Sequence, residues 1–229
     1  MPKRLTTVQD HVDDIINARA DLAKVKFSAL PVDAEKPSEI FSEITGLLKE
    51  NLSQEGFSFN KSKRTFRRKC NEFEHLITIQ ADSNNYAGVR AACWIHISVV
   101  SKSLKEWRST HDLYADEYVF SRTLSEPHSG QLVWDFIDPA IRQSEYQDML
   151  QRIHAVALPA FDGWQSLDTA RQAIADSKLI NRLDSQVEIA LWLGNRQAAM
   201  DLLRVTTTQQ SVRDGLQELE VKFGLSRVV

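Results

Sequence analysis

Val89-Arg90-Ala91-Ala92-Cys93-Trp94-Ile95-His96-Ile97-Ser98-Val99-Val100 carries the clearest strand pattern in the chain. Cys93, Ile95, Ile97 and Val99 alternate with Trp94, His96 and Ser98. A period of two puts the first set on one face of a strand and the second on the other. Phe73, Ile77, Ile79 and Ala81 repeat the pattern over Phe73–Ala81. Working outward, Phe57–Asn60 running into Arg64–Cys70, Glu117–Leu124 and Gln131–Ile137 complete five strand-like segments. Their connections, such as Asp82–Gly88 and Pro127–Gly130, are short and rich in turn residues, which predicts an antiparallel meander.

Helical spacing flanks the strands. Val8, Val12, Ile15, Ile16, Leu22 and Val25 recur at helical intervals, and the prolines of Leu30–Pro37 end that element. Residues 1–30 therefore read as an N-terminal helical arm. A second helix is expected from Ser38, as its N-cap, to Gln54, with Ile40, Ile44, Leu47, Leu48 and Leu52 as its stripe and Gly56 as its stop. Beyond the strands, Asp138-Pro139 reads as a cap and first turn. The stripe of Ile141, Met149, Ile153 and Val156 runs until Pro159. Further helices are expected over Ser166–Ser177, on both sides of Gly194, and from Ser211, whose pairing with Asp214 resembles a capping box. Strands in one block and helices in another define an α+β fold. It is expected as a single domain over 38–229, with its sheet at about 57–137 and C-terminal helices over 139–225.

Composition agrees. The chain has 229 residues, 42% hydrophobic and 26% charged, so disorder and a disulfide scaffold are poor descriptions. Its net charge is −3, which disfavours a globally basic nucleic-acid binder. The distribution is uneven: residues 56–110 carry ten basic and four acidic side chains, residues 111–229 eleven and seventeen. Such polarity steers oppositely charged partners. Two cysteines, Cys70 and Cys93, fit a reducing compartment. Met1-Pro2-Lys3-Arg4 leads into a polar stretch without the apolar core of a signal peptide. No apolar run reaches membrane-spanning length. A cytoplasmic protein without membrane attachment is expected.

The strongest anomaly is Lys61-Ser62-Lys63-Arg64-Thr65-Phe66-Arg67-Arg68-Lys69, in which six of nine residues are cationic. Extended, it places Arg64, Phe66 and Arg68 on one face and Arg67 and Lys69 on the other. It reads in three ways: a solvated edge strand whose charges block strand pairing, a surface for an acidic protein, or, with Phe57, Phe59 and Phe66 interleaved, a single-strand nucleic-acid platform. Trp94, Trp107 and Trp134 are candidate aromatic anchors if exposed.

Catalytic motifs are missing. The histidines lack H-E-x-x-H spacing, and the cysteines lack a finger pattern. His111-Asp112 with Asp116-Glu117 is the densest potential metal group, but neighbours in one loop rarely converge on one ion. His96 reads as half-buried packing beside Trp94. There is no G-x-S-x-G nucleophile elbow and no glycine loop for phosphate. No catalytic residue, metal or cofactor is expected, and enzyme chemistry through His96 or His111 is the minority alternative. Leu183–Val205 has the outline of a helix-turn-helix, but its second helix is too apolar to read a groove and is expected to pack as an α-hairpin.

Gln54-Glu55-Gly56-Phe57, Arg64-Thr65-Phe66-Arg67-Arg68, Leu76-Ile77-Thr78-Ile79-Gln80, Ala157-Leu158-Pro159-Ala160-Phe161, Ala190-Leu191-Trp192-Leu193-Gly194-Asn195 and Ala198-Ala199 together resemble a bacterial family, domain of unknown function 4304. The resemblance runs over about residues 38–205. It implies no enzymology and transfers no functional residue. Some relatives resemble immunity proteins, which neutralise a cytoplasmic toxin by direct binding. The resemblance thus implies a protein partner; the charge pattern, read separately, gives that partner an acidic surface met by Lys61, Lys63, Arg64, Arg67, Arg68 and Lys69, with Trp94, Trp107 and Trp134 as anchors where exposed. A nucleic-acid-binding accessory protein using 61–69 is the alternative.

Overall fold

Helix α1, Pro37–Gln54, precedes a hairpin of β1 (Ser58–Asn60) and β2 (Thr65–Cys70), followed by the long strands β3 (Phe73–Ala81) and β4 (Ala92–Val100). The computed structural model describes residues 35–126, 130–131, 133–174, 180, 182–204 and 210–225. The arm expected over 1–30 lies outside them. A helix, α2 (Lys102–Thr110), then carries the chain to β5 (Tyr118–Thr123). Strands β1 to β5 lie side by side in chain order, each antiparallel to the next. This is the expected α+β architecture built on a five-stranded meander.

The sheet's inner face carries the core. Cross-strand neighbours Phe59, Phe66, Ile77 and Ile97 form one inward row, and Arg68, His75, Val99 and Phe120 the next. Ile77, Ile95, Ile97 and Phe66 are fully buried, as are Ile40, Leu48 and Leu52 from α1. Removing this much apolar surface from water is the main force holding the layers together.

Several boundaries differ from expectation, each for a local reason. The run from Phe57 to Cys70 is two strands, because residues 61–64 turn the chain and Arg64 takes φ +48°. The long strand starts at Ala92 instead of Val89, since Asp82 holds the Arg90 guanidinium at 2.9 Å and closes a turn. Helix α2 interrupts what reads as consecutive strands, and is capped by Ser101, whose Oγ accepts from Leu104 N. Gln131–Ile137 is fragments: β6 (Ser125–Glu126) pairs with β7 (Gly130–Gln131), while β8 (Trp134–Asp135) pairs with β4. Lys36, not Ser38, precedes the first turn of α1, and its N–H donates to Glu39 Oε2 at 3.2 Å. Asp138 caps only a turn, accepting from Ala140 N at 2.9 Å, and α3 (Arg142–Arg152) starts later.

Pro159 does not end its helix. A π-helical turn, Ile153–Ala157, leads into α4 (Leu158–Asp162), with Pro159 in the first turn of α4. Proline offers no N–H, and the wider turn instead lets Leu158 N donate back to Ile153 O. Val156 within the wider turn is exposed, as is Ile141 just before α3, whereas Met149 and Ile153 are buried. The remaining helices are α5 (Leu167–Ala173, capped by Ser166), α6 (Leu183–Trp192), α7 (Arg196–Leu203) and α8 (Gln210–Phe223). Gly194, at φ +72°, separates α6 from α7 as its position predicts. Ser211 falls inside α8 instead of before it.

Candidate interaction surface

The register that buries Cys93, Ile95, Ile97 and Val99 turns the alternate residues of every strand outward. One outward row reads Ser58, Arg67, Leu76, Ser98, Ser121, and the next Asn60, Thr65, Thr78, His96, Thr123. Gln80 lies opposite Trp94, and Lys69 opposite Glu74. Arg67, Lys69, Gln80 and Ser121 are exposed, while Leu76, Thr78, Trp94 and His96 are half-buried. The face is thus a polar surface with two large apolar side chains in it.

Hydrogen bonds hold several of these polar side chains in place. Trp94 Nε1–H donates to His96 Nε2 at 2.9 Å, and Thr123 Oγ1 lies 3.3 Å from His96 Nδ1. Because Nε2 accepts, neutral His96 carries its proton on Nδ1 and donates to the Thr123 hydroxyl. Burial lowers the His96 pKa, which favours that neutral form. Thr65 and Thr78 hydroxyls meet at 3.0 Å, and Ser98 Oγ donates to Ser121 Oγ at 2.8 Å. Arg67 pairs with Glu74 at 2.6 Å, which raises the guanidinium pKa further. A side chain already held in one rotamer loses little entropy on binding.

The basic run is divided by the fold. Arg67 and Lys69 join the outer face, and Lys61 and Lys63 stand exposed in the hairpin turn. That turn lies beside the Gln80–Trp94 end of the sheet, since Ile79 N donates to Arg64 O at 3.0 Å. Arg64 instead lies over the Phe41 ring, 5.6 Å from its centroid. Arg68 belongs to the inner side: its guanidinium sits 4.7 Å from the Phe57 centroid, donates to Glu55 O at 3.2 Å and approaches His75 Nδ1 at 3.3 Å. Phe57 and Phe66 are buried, and Phe59 stacks on Phe66 at 4.6 Å, so these rings pack inward.

The tryptophans divide too. Only Trp94 joins the outer face. Trp134 is 2% exposed and donates from Nε1 to Asp148 at 2.8 Å, so it does not meet the exposure an anchor needs. Trp107 is half-buried, stacked on Phe223 at 5.5 Å and against His111 at 4.5 Å. His111 Nδ1 lies 2.8 Å from Trp107 O, a local structural bond.

Two buried polar nodes were not legible as such. His75 is fully buried on the inner face, its ring stacked on Phe161 at 4.6 Å and Nε2 bonded to Trp164 O at 2.8 Å. Burial, more than the nearby Arg68, drives its pKa down to about 4. Arg108 of α2 is buried and engages Glu188 of α6, Asp116 and the carbonyls of Asp116 and Tyr118. Cys93 is buried, and burial pushes its thiol up to about 12, leaving an unreactive side chain. Among the described residues, no group of three or more His, Cys, Asp or Glu side chains is placed to hold a metal, and no helix is long and apolar enough to cross a membrane.

An α+β domain with a helix-backed meander and a preorganised polar outer face is the class these features define. The chain belongs to a family described as a domain of unknown function, DUF4304, which matches residues 48–163. That span takes in the C-terminal part of α1 from Leu48, the whole sheet and the chain through α4, so the motifs at Gln54–Phe57, Arg64–Arg68, Leu76–Gln80 and Ala157–Phe161 fall inside it. The α6–α7 motif at 190–199 falls outside. No curated protein and no solved structure matches the chain.

Proposed function

We propose that this domain is an immunity protein that neutralises a bacterial toxin in the cytoplasm by binding it and occluding its active site. The observation that carries the reading is the surface around the hairpin. Lys61 and Lys63 in the turn and Lys69 at the far end of β2 are exposed and not ion-paired among the described residues, and the outer face between them presents Leu76 and Trp94, the latter held by its hydrogen bond to His96. Unpaired cations steer an acidic partner and set the encounter rate, and a packed aromatic supplies the slow dissociation. Inhibition by occlusion asks for nothing else. His96 and His111 hydrogen-bond to Trp94, Thr123 and Trp107 instead of to a carboxylate that would orient a general base. The burial of Phe57 and Phe66 leaves only Phe59, itself half-buried against Phe66, of the stacking platform that single-stranded nucleic acid requires.

Co-expression with a cognate toxin tests the reading. Protection by the wild type, and its loss in a Lys61→Glu/Lys63→Glu/Lys69→Glu variant that still folds, is the expected result. Undiminished protection by the triple variant contradicts the surface assignment.

A further inference from the structure

A trough of about 590 Å³ separates α1 from the β1–β2 hairpin. Phe41 and Phe59 line it as apolar floor, Lys49 rises from the helix wall, and Lys61 and Arg64 from the hairpin wall. None of these three cations is ion-paired among the described residues. Arg64 is held over the Phe41 ring, which leaves its planar fork fixed in place. Among the described residues the trough's one carboxylate, Glu39, accepts a hydrogen bond from the Lys36 N–H. Gly46 lies exposed on the same helix wall, and a Cβ built there meets nothing within 4 Å. Glycine is unfavourable in a helix interior, so here it leaves the helix backbone open to close approach without solving any packing problem.

Cations facing one another across an open trough suit several carboxylates spaced along a chain. Among the described residues strand β1 is the sheet's edge and pairs only with β2, so an extended chain at this border meets an edge strand's outward backbone groups. We propose that the trough binds an extended acidic segment of the protein partner, with carboxylates at Lys49, Lys61 and Arg64 and the backbone passing over Gly46. The partner's being a protein rests on the immunity reading above; the trough's charge and shape do not.

Fluorescence anisotropy and amide shift mapping with a labelled decaglutamate peptide test this on the full chain at low salt. Binding is expected, with shifts at Gly46, Lys61 and Arg64. Gly46→Glu, and separately Lys49→Gln/Lys61→Gln, should each weaken binding by about tenfold or more. Gly46→Ala should weaken it by a smaller factor than Gly46→Glu, and the exposed pair Lys102→Gln/Lys105→Gln should leave it unchanged. Equal affinity for decaglutamine, unaltered binding by Gly46→Glu, or shifts confined to the outer sheet face overturn the trough. Tighter binding of inorganic phosphate or of a single-stranded oligothymidylate overturns the acidic-peptide assignment, as do groove shifts that grow with protein concentration alone and so report a second copy. Failure of co-expression to protect cells, with peptide binding intact, discards the toxin and keeps the trough.

Discussion

His75 shows how one side chain couples strand to helix. Its Nδ1 faces the Arg68 guanidinium, so the ring proton sits on Nε2 and is donated to Trp164 O, joining β3 to the end of α4. The ring is neutral when folded, with a pKa of about 4 against 6.5 for the free side chain. A depressed histidine pKa means that the unfolded chain binds the proton first. Its contribution is therefore complete above pH 6.5 and declines as pH falls toward 4, by roughly 3 kcal/mol in all. Denaturant titration at pH 7 and pH 5 should show this decline in the wild type. His75→Leu should lack that component, and at pH 7 should already be destabilised by about 2 kcal/mol through the orphaned Trp164 carbonyl and Arg68. A wild-type stability flat between pH 7 and 5 would contradict the buried neutral ring. Arg108 is the second such residue. Arg108→Ala leaves the Glu188 carboxylate half-buried without its cation, and a loss of about 3–5 kcal/mol in urea unfolding is expected.

Among the elements, α1 and its stop make opposite predictions for the same substitution. Gly46 is helical, exposed and unobstructed, so Gly46→Ala should stabilise by up to about 1 kcal/mol, read as a higher melting temperature. Gly56 ends α1 at φ +81°, where a side chain is strained, so Gly56→Ala should destabilise by about 1–2 kcal/mol. The strands were legible because period-two patterning in Phe73–Ala81 and Val89–Val100 reports one buried face directly. Helix α2 was not, because its buried residues are Leu104 and Arg108, and an inward arginine reads as surface. What admits Arg108 to the interior is Glu188, eighty positions away, which no local pattern shows. The basic run was legible as a cluster but not as a site. Its partition depends on the turn at Arg64 and on His75 and Phe57 drawing Arg68 inward. Likewise, Trp134 was buried by its pairing with β4, a contact set forty-one residues upstream at Cys93.

For the whole molecule, the consequence of that partition is kinetic. Lys61, Lys63 and Lys69 are free of structural duties, whereas Arg68 is not, so charge reversal confined to the three lysines should leave the fold intact. With the toxin, the reversal should slow association by about tenfold and flatten its salt dependence, with little change in dissociation. Trp94→Ala should do the converse, speeding dissociation at an unchanged association rate. The central claim is occlusion by binding, and the most direct measurement is a titration of the purified cognate toxin's activity with this protein. Stoichiometric loss of activity, reached at one domain per toxin and accompanied by a co-eluting complex, is what the account predicts. Protection by catalytic amounts, or inhibition without a complex, would contradict it.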